Sequence, residues 1–319
     1  MSSFAELRSA VRGRVLLPGD DGFEAAARPW NLAVPQPDAV GVVEAADADD
    51  VAALVRFARR AGVAVATQPA GHGASGTVNG AVLLRTALLD EVRVDPAARI
   101  ARVGAGVKWG RVQEEASRHG LTGLPGSSPV VSVTGYTLGG GVSWFSRAHG
   151  WAADSVTAFE VVDAEGVPAR VTAESDPELF WALRGGGGDY AIVTATEFRL
   201  HPAPALYGGQ MLWPGAQARE VLDVFRSVTA SAPDELTVWA GVLNPPVPAR
   251  WPPSTPRTSA RAPGTPGPSC CARSTRSPAG STTTGPCCPS TSWAPSPPSP
   301  RTPARASAAP RWSRPSTTP

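Results

Sequence analysis

Between residues 1 and 250, stretches with apolar residues at helical spacing alternate with short β-branched runs. Residues 47–61 give the clearest helical pattern. Val51, Leu54, Val55 and Ala58 form one stripe, Asp47 or Asp49 stands where a cap is needed, and Gly62 follows the last turn. Residues 4–11 (Phe4, Leu7, Val11) and 108–119 read as further helices, the second stopped by Gly120. Strands are expected at 15–17, where Pro18-Gly19 ends the run, and at 40–44, 63–67, 82–85, 91–94 and 100–103, with a Pro-rich connection over 28–37. Downstream, residues 142–147 read as a short helix. Strands are expected at 155–162, 169–172, 191–200, 209–213 and 235–243, and helices at 176–183, with Ser175 or Asp176 as cap, and at 216–230. Hairpin-length and crossover-length connections are mixed, which predicts an α+β fold rather than a doubly wound sheet. No repeat of solenoid period is present.

The pattern stops near residue 250. Residues 251–319 contain no Val, Ile, Leu, Met, Phe or Tyr and no Asp, Glu, Lys or His, while holding 17 of the 34 prolines. Such a segment cannot bury enough apolar surface to offset chain entropy, so a disordered tail without helix or strand is expected. The net charge of +2 divides accordingly: the tail carries eight arginines and no acid, leaving 21 basic residues against 27 acids in the body. The tail arginines are scattered singly, which argues against a nucleic-acid or membrane patch. All four cysteines (Cys270, Cys271, Cys287 and Cys288) lie there as adjacent pairs rather than as CxxC, which argues against a zinc site and leaves the redox compartment open. The N-terminus has no apolar run of signal-peptide character and no segment is long enough to span a bilayer, so the expected location is cytoplasmic.

Three glycine-rich segments carry the candidate chemistry. GHGASG at 71–76 follows a strand. Without Cβ atoms its backbone N–H groups can converge on an anion, or it is a plain surface turn. It is not a Rossmann fingerprint, and there is no P-loop lysine. GYTLGGG at 135–141 fits either a helix entry close to a ligand or tight packing of backbone on backbone, because consecutive glycines are costly within a helix, at roughly 1 kcal/mol each. GGGG at 185–188 reads alone as a flexible loop. His72, set between two glycines, is unusually accessible as a nucleophile, although a loop histidine is ordinarily solvated and inert. His119 suits a helix C-terminus, while His149 and His201 carry little signal. No Ser/His/Asp set, HExxH or paired carboxylates stand out. Trp30, Trp109, Trp144, Trp151 and Trp181 read as core or cleft-lining residues.

Taken in order, these segments resemble the FAD-binding half of the vanillyl-alcohol-oxidase superfamily, in its berberine-bridge-enzyme-like branch, over about residues 28–247. The resemblance rests on Trp30-Asn31, the Asp-rich helix 47–61, the strand 63–67 and Ala70-Gly71-His72-Gly73. It continues through GYTLGGGVSWFSRAHGWAADSV and DPELFWALRGGGGDYAIVTATEFRLHP. It implies a PCMH-type FAD-binding domain over 1–205, the start of a substrate domain over 206–250, incomplete here, and a tail over 251–319 that reads like translation in the wrong frame.

The resemblance also implies roles. His72 would be bonded to the flavin C8-methyl, and the backbone N–H groups of Ala70, Gly71, Gly73 and Ala74 would meet the pyrophosphate. Gly135, Thr137 and Gly140 would line the cofactor, with Val193 near the adenine or ring. Ser128 stands eight positions before Tyr136, where doubly linked members have a cysteine, so the chain resembles the singly linked ones. The implied activity is hydride transfer from a small-molecule substrate C–H to flavin N5, with reoxidation by dioxygen. The alternative is a flavin-binding fragment without turnover. No catalytic base is assigned; Asp189, Tyr207 and His149 have no positional argument. The substrate and the oligomeric state stay open, no metal is expected, and neither nucleic acid nor membrane is expected as a partner.

Overall fold

The computed structural model describes residues 4–34, 39–76 and 78–243, together with the two-residue strand Cys287–Cys288. In chain order the elements are α1 (Phe4–Ala10), β1 (Arg14–Leu16), α2 (Phe23–Ala27), β2 (Gly41–Glu44), α3 (Ala48–Ala61), β3 (Val65–Thr67), β4 (Val82–Arg85), β5 (Val92–Asp95) and β6 (Ile100–Gly104). Next come α4 (Trp109–Ser117), β7 (Leu121–Thr122), α5 (Val133–Leu138), α6 (Ser146–His149), β8 (Val156–Val162), β9 (Pro168–Val171) and α7 (Pro177–Leu183). The chain goes on through β10 (Ile192–Arg199), β11 (His201–Pro202), β12 (Leu206–Tyr207), α8 (Ala218–Ala230) and β13 (Cys287–Cys288).

Two sheets organise these elements. The first has the order β1-β2-β4-β3, antiparallel at β1–β2 and parallel across β2, β4 and β3. Its central strand reads Val82-Leu83-Leu84 without alternation because both faces are covered. Val82 and Leu84 pack with Leu7, Val51, Leu54 and Phe57 of α1 and α3, while Leu83 packs with Phe23, Ala26 and Ala27 of α2. The second sheet, β5-β6-β10-β8-β9, is antiparallel throughout. One face, bearing Ala101, Val103, Phe159, Val161 and Phe198, is covered by Trp109 and Val112 of α4, Val133 of α5 and Phe180 and Leu183 of α7. On the opposite face Val162 and Ile192 reach the α3 cluster. Elsewhere on that sheet the Arg102 guanidinium forms a two-pronged ion pair with Glu160 across the intervening β10.

Helix α3 sits between the two sheets. The Asp47 side chain accepts from the Asp50 N–H at 3.0 Å, and Gly62 ends the helix in the left-handed region at φ 69°. The Asp50 carboxylate, 1 % exposed, accepts the backbone N–H groups of Arg12, Gly13 and Ala46, each at 2.8 Å. A buried carboxylate needs such donors, and here they tie α3 to the α1–β1 link and to the end of β2.

The α+β expectation holds, and the pattern places α3, α4, α7 and every strand of the two main sheets to within a few residues. Several expectations need correction. Residues 209–213 and 235–243 form no strand and join neither sheet. The short α2, and the pairing of β7 with β11 (Leu121↔Pro202), carry no periodicity long enough to detect. Helix α8 is amphipathic as expected, yet none of its residues is buried. Of the five tryptophans only Trp109 is core, at 1 % exposed; Trp30, Trp144, Trp151 and Trp181 lie at the surface. The tail lies outside the described residues except for β13, whose two residues pair antiparallel with β12 (Tyr207↔Cys287), contrary to the expectation of no strand there.

The β11 segment also gives His201 a partner that its sequence context does not suggest. Its ring stacks on His149 at a centroid separation of 4.1 Å and shares a 3.0 Å hydrogen bond with Ser155 Oγ. Burial first, then the facing His149 and Arg199, pushes the His201 pKa down to about 4. The folded chain thus resists a proton that the unfolded chain takes up near pH 6.5, so the stability present above that pH is lost as pH falls from 6.5 towards 4. The expected result is a thermal midpoint that declines over this window, and more shallowly in His201→Gln; parallel curves for the two proteins would refute it.

Candidate functional site

Strand β3 delivers the GHGASG segment. Gln68 N–H still donates to Leu84 O at 2.9 Å, extending the parallel ladder by one residue before the chain turns at Gly71, with φ 82°. A side chain at Gly71 is excluded twice over: the φ is left-handed, and a Cβ would lie 2.8 Å from Pro29 Cβ. This close approach lets the chain after α2 dock on the loop. Trp30 N–H donates to Ala70 O at 3.0 Å and Asn31 N–H to Gly71 O at 3.2 Å. Two motifs about forty residues apart are thereby joined.

The docking places the Trp30 indole face to face with the His72 imidazole, with ring centroids 3.9 Å apart and planes 15° from parallel. Both ring nitrogens of His72 are buried and neither has a protein hydrogen-bond partner. Burial, and to a lesser degree the charge of Lys108, lowers the pKa of His72 below its ordinary value of 6.5. Ala70 and Ala74 are half-buried beside it. Gly73 is exposed, and a Cβ there would meet nothing within 4 Å, so the loop keeps open space on one side of the imidazole.

Lys108, the chain's single lysine, leads to the second group of predicted residues. Its segment bridges antiparallel to Ser132, flanked by Trp109 N–H to Val131 O at 3.0 Å and Val133 N–H to Val107 O at 2.9 Å. These bonds set the start of α5. Gly135 is exposed there with open space at its Cα, while the hydroxyls of Thr134 and Thr137 are buried without a partner. Ser128 lies half-buried in the loop leading in. The triple glycine leaves α5 rather than entering a helix. Gly140 and Gly141 have φ of 94° and 76°, and Cβ atoms would strike Trp151 and Tyr136 respectively at 2.5 Å. Both glycines are thus closed in by aromatic side chains, whereas the packing reading of GYTLGGG expected backbone on backbone.

The third glycine run meets the second, with Gly187 N–H donating to Leu138 O at 2.9 Å. Val193 stands apart, its side chain 3 % exposed in the core of the antiparallel sheet. Sequence reasoning placed Trp30 in a motif without seeing that it covers His72, and it missed Lys108 and Thr134. A lysine found once in the whole chain was the available signal.

Residues 39–172 match the family model described as "FAD binding domain". The chain is 32 % identical over 216 residues to (R)-6-hydroxynicotine oxidase of Paenarthrobacter nicotinovorans, an alignment covering 67 % of this chain and 47 % of that protein. Among solved structures, 6-hydroxy-D-nicotine oxidase from Arthrobacter nicotinovorans superposes with a TM-score of 0.65 at 29 % identity, over 69 % of this chain and 49 % of that one. Glucooligosaccharide oxidase from Acremonium strictum, solved to study the roles of its 6-S-cysteinyl, 8α-N1-histidyl FAD, superposes with a TM-score of 0.63 at 26 % identity, over 72 % of this chain and 49 % of that one. The chain thus spans about half the length of the relatives it matches. Two sheets with α3 between them, a glycine-flanked histidine after a parallel strand and this set of relatives agree: the chain carries an FAD-binding domain of the PCMH type, takes FAD as its cofactor and is similar to FAD-linked oxidoreductases of the vanillyl-alcohol-oxidase superfamily.

Proposed function

We propose that this chain binds FAD through a single covalent bond from His72 and serves an oxidase or dehydrogenase acting on a small organic substrate. The observation that carries this reading is the state of His72: its two ring nitrogens are buried, unpartnered and flanked by glycines. A buried imidazole with neither nitrogen satisfied is costly in a chain meant to stand alone, and it suits a ring that acquires a bond on cofactor binding. The lowered pKa supports the same reading, since it favours the neutral ring with a free lone pair.

When bound, FAD would supply a two-electron acceptor for hydride from a substrate C–H, with dioxygen as the final oxidant. The protein's part is to bind and orient. In this reading the backbone N–H groups of Ala70, Gly71, Gly73 and Ala74 face the pyrophosphate, and the unpartnered hydroxyl of Thr137, with that of Thr134 beside it, is available to cofactor oxygens. Gly135 and Gly140 belong to the same lining, and Val193 has only its backbone to offer. Ser128 gives no second thioether bond. Residues 1–205 form the cofactor domain, and 206–250 open a substrate domain; both main sheets close before residue 205, and α8 buries nothing against them.

The test is direct. Chain purified after expression with FAD is precipitated in acid and digested. Yellow colour should stay with the protein, and the peptide containing His72 should gain the mass of FAD. Flavin released quantitatively into the supernatant would overturn the covalent reading.

A further inference from the structure

We infer that Trp30 is a positioning residue that sets the plane and protonation of His72 for its bond to the flavin, an inference that rests on the anchor reading above. A histidine in a working site is ordinarily oriented by the hydrogen bond that its second nitrogen makes. His72 has no such bond at either nitrogen. What fixes its ring is a face: the indole of Trp30, at 3.9 Å and 15°. The indole is itself held by the chain on either side. Trp30 N–H and Asn31 N–H bond to the carbonyls of Ala70 and Gly71, the two residues before the imidazole, and Pro29 fills the space that a Gly71 side chain would take. The tryptophan is 60 % exposed, so it contributes little to a core. Its ring covers one face of the imidazole, while both nitrogens lie at the ring edge, buried and without a protein partner.

The bond to be made joins an imidazole nitrogen to the flavin C8-methyl carbon. One methyl C–H bond and the ring N–H bond break, and dioxygen accepts the two electrons and two protons released, leaving as hydrogen peroxide. The nitrogen must present its lone pair in the ring plane towards that carbon, and the ring must be neutral. The Trp30 face restricts rotation and excludes water on one side; Lys108 is the charged group that acts on the ring from the other packed segment, and it too disfavours the imidazolium.

The experiment follows attachment rather than turnover. Apo-chain is mixed with FAD under air, samples are quenched in acid, and the fraction of peptide carrying His72 with added flavin is followed with time from pH 5 to 9. Trp30→Ala should slow attachment at least about tenfold and move the pH midpoint of its rate upward, because the ring is then hydrated on both faces. Trp30→Phe should recover most of the rate. Non-covalent FAD affinity, measured on a His72→Ala background with and without Trp30→Ala, should change by less than about threefold. Equal attachment rates in wild type and Trp30→Ala, or a Trp30→Phe chain as slow as Trp30→Ala, would overturn the inference while leaving the anchor intact. A wild type that never gains flavin at His72 would sink the anchor reading and this inference together.

Discussion

Replacing His72 by alanine is expected to release all of the flavin on acid denaturation while leaving the folded chain able to bind it. On the proposed reading the imidazole would be the single covalent attachment, since Ser128 would take the place of the cysteine expected in doubly linked members. A serine hydroxyl does not form the thioether that a thiolate does. Folding should be unaffected or improved, because the substitution removes two buried ring nitrogens that have no protein partner. The measurement is absorbance of precipitate and supernatant beside the thermal midpoint of each apo-protein. Flavin that stays bound to denatured His72→Ala protein would point to a second attachment, with Ser128→Ala as the next variant to assay.

A large stability effect is expected at Gly141. Alanine there must adopt φ near 76° and place its Cβ 2.5 Å from the Tyr136 ring and 2.8 Å from Ala152 Cβ. A non-glycine residue in the left-handed region costs on the order of 1–3 kcal/mol, and overpacking adds a similar amount. Gly141→Ala should therefore destabilise by about 3 kcal/mol or more, a loss of roughly 10 °C in midpoint for a chain of this size. Gly139→Ala, two residues away, is the control: its φ is −88° and the nearest atom to a Cβ there is at 3.7 Å. Similar losses in the two variants would mean that the triple glycine is constrained by something other than this packing.

That contrast also shows where the sequence was legible. Helix α3 could be read from its stripe, its Asp47 cap and its terminal Gly62, because each is a local signal. The strand before His72 and the glycines around it were equally local. The face of His72 was not. Trp30 lies far away in sequence and reaches the imidazole only because Gly71 lets Pro29 approach, a consequence of tertiary contact that no periodicity records. The triple glycine was ambiguous for a related reason, since close packing and close approach to a ligand demand the same absent Cβ. The strands expected at 209–213 and 235–243 show the opposite failure: β-branched and aromatic residues supply propensity, but a strand needs a neighbour.

The position of α3 has a consequence for how the molecule comes apart. Val51, Leu54, Val55 and Phe57 lie in one cluster with Val82 and Leu84 of the parallel sheet and Val162 of the antiparallel one, and Arg56 Nη1 donates to Gly166 O at 2.7 Å in the turn between β8 and β9. Neither sheet can lose this helix without uncovering its own apolar residues, so the two are bound into a single cooperative unit. Amide hydrogens of β4 and of β8 should therefore exchange through one shared opening event, with the same free energy and the same denaturant dependence, although the two strands belong to different sheets.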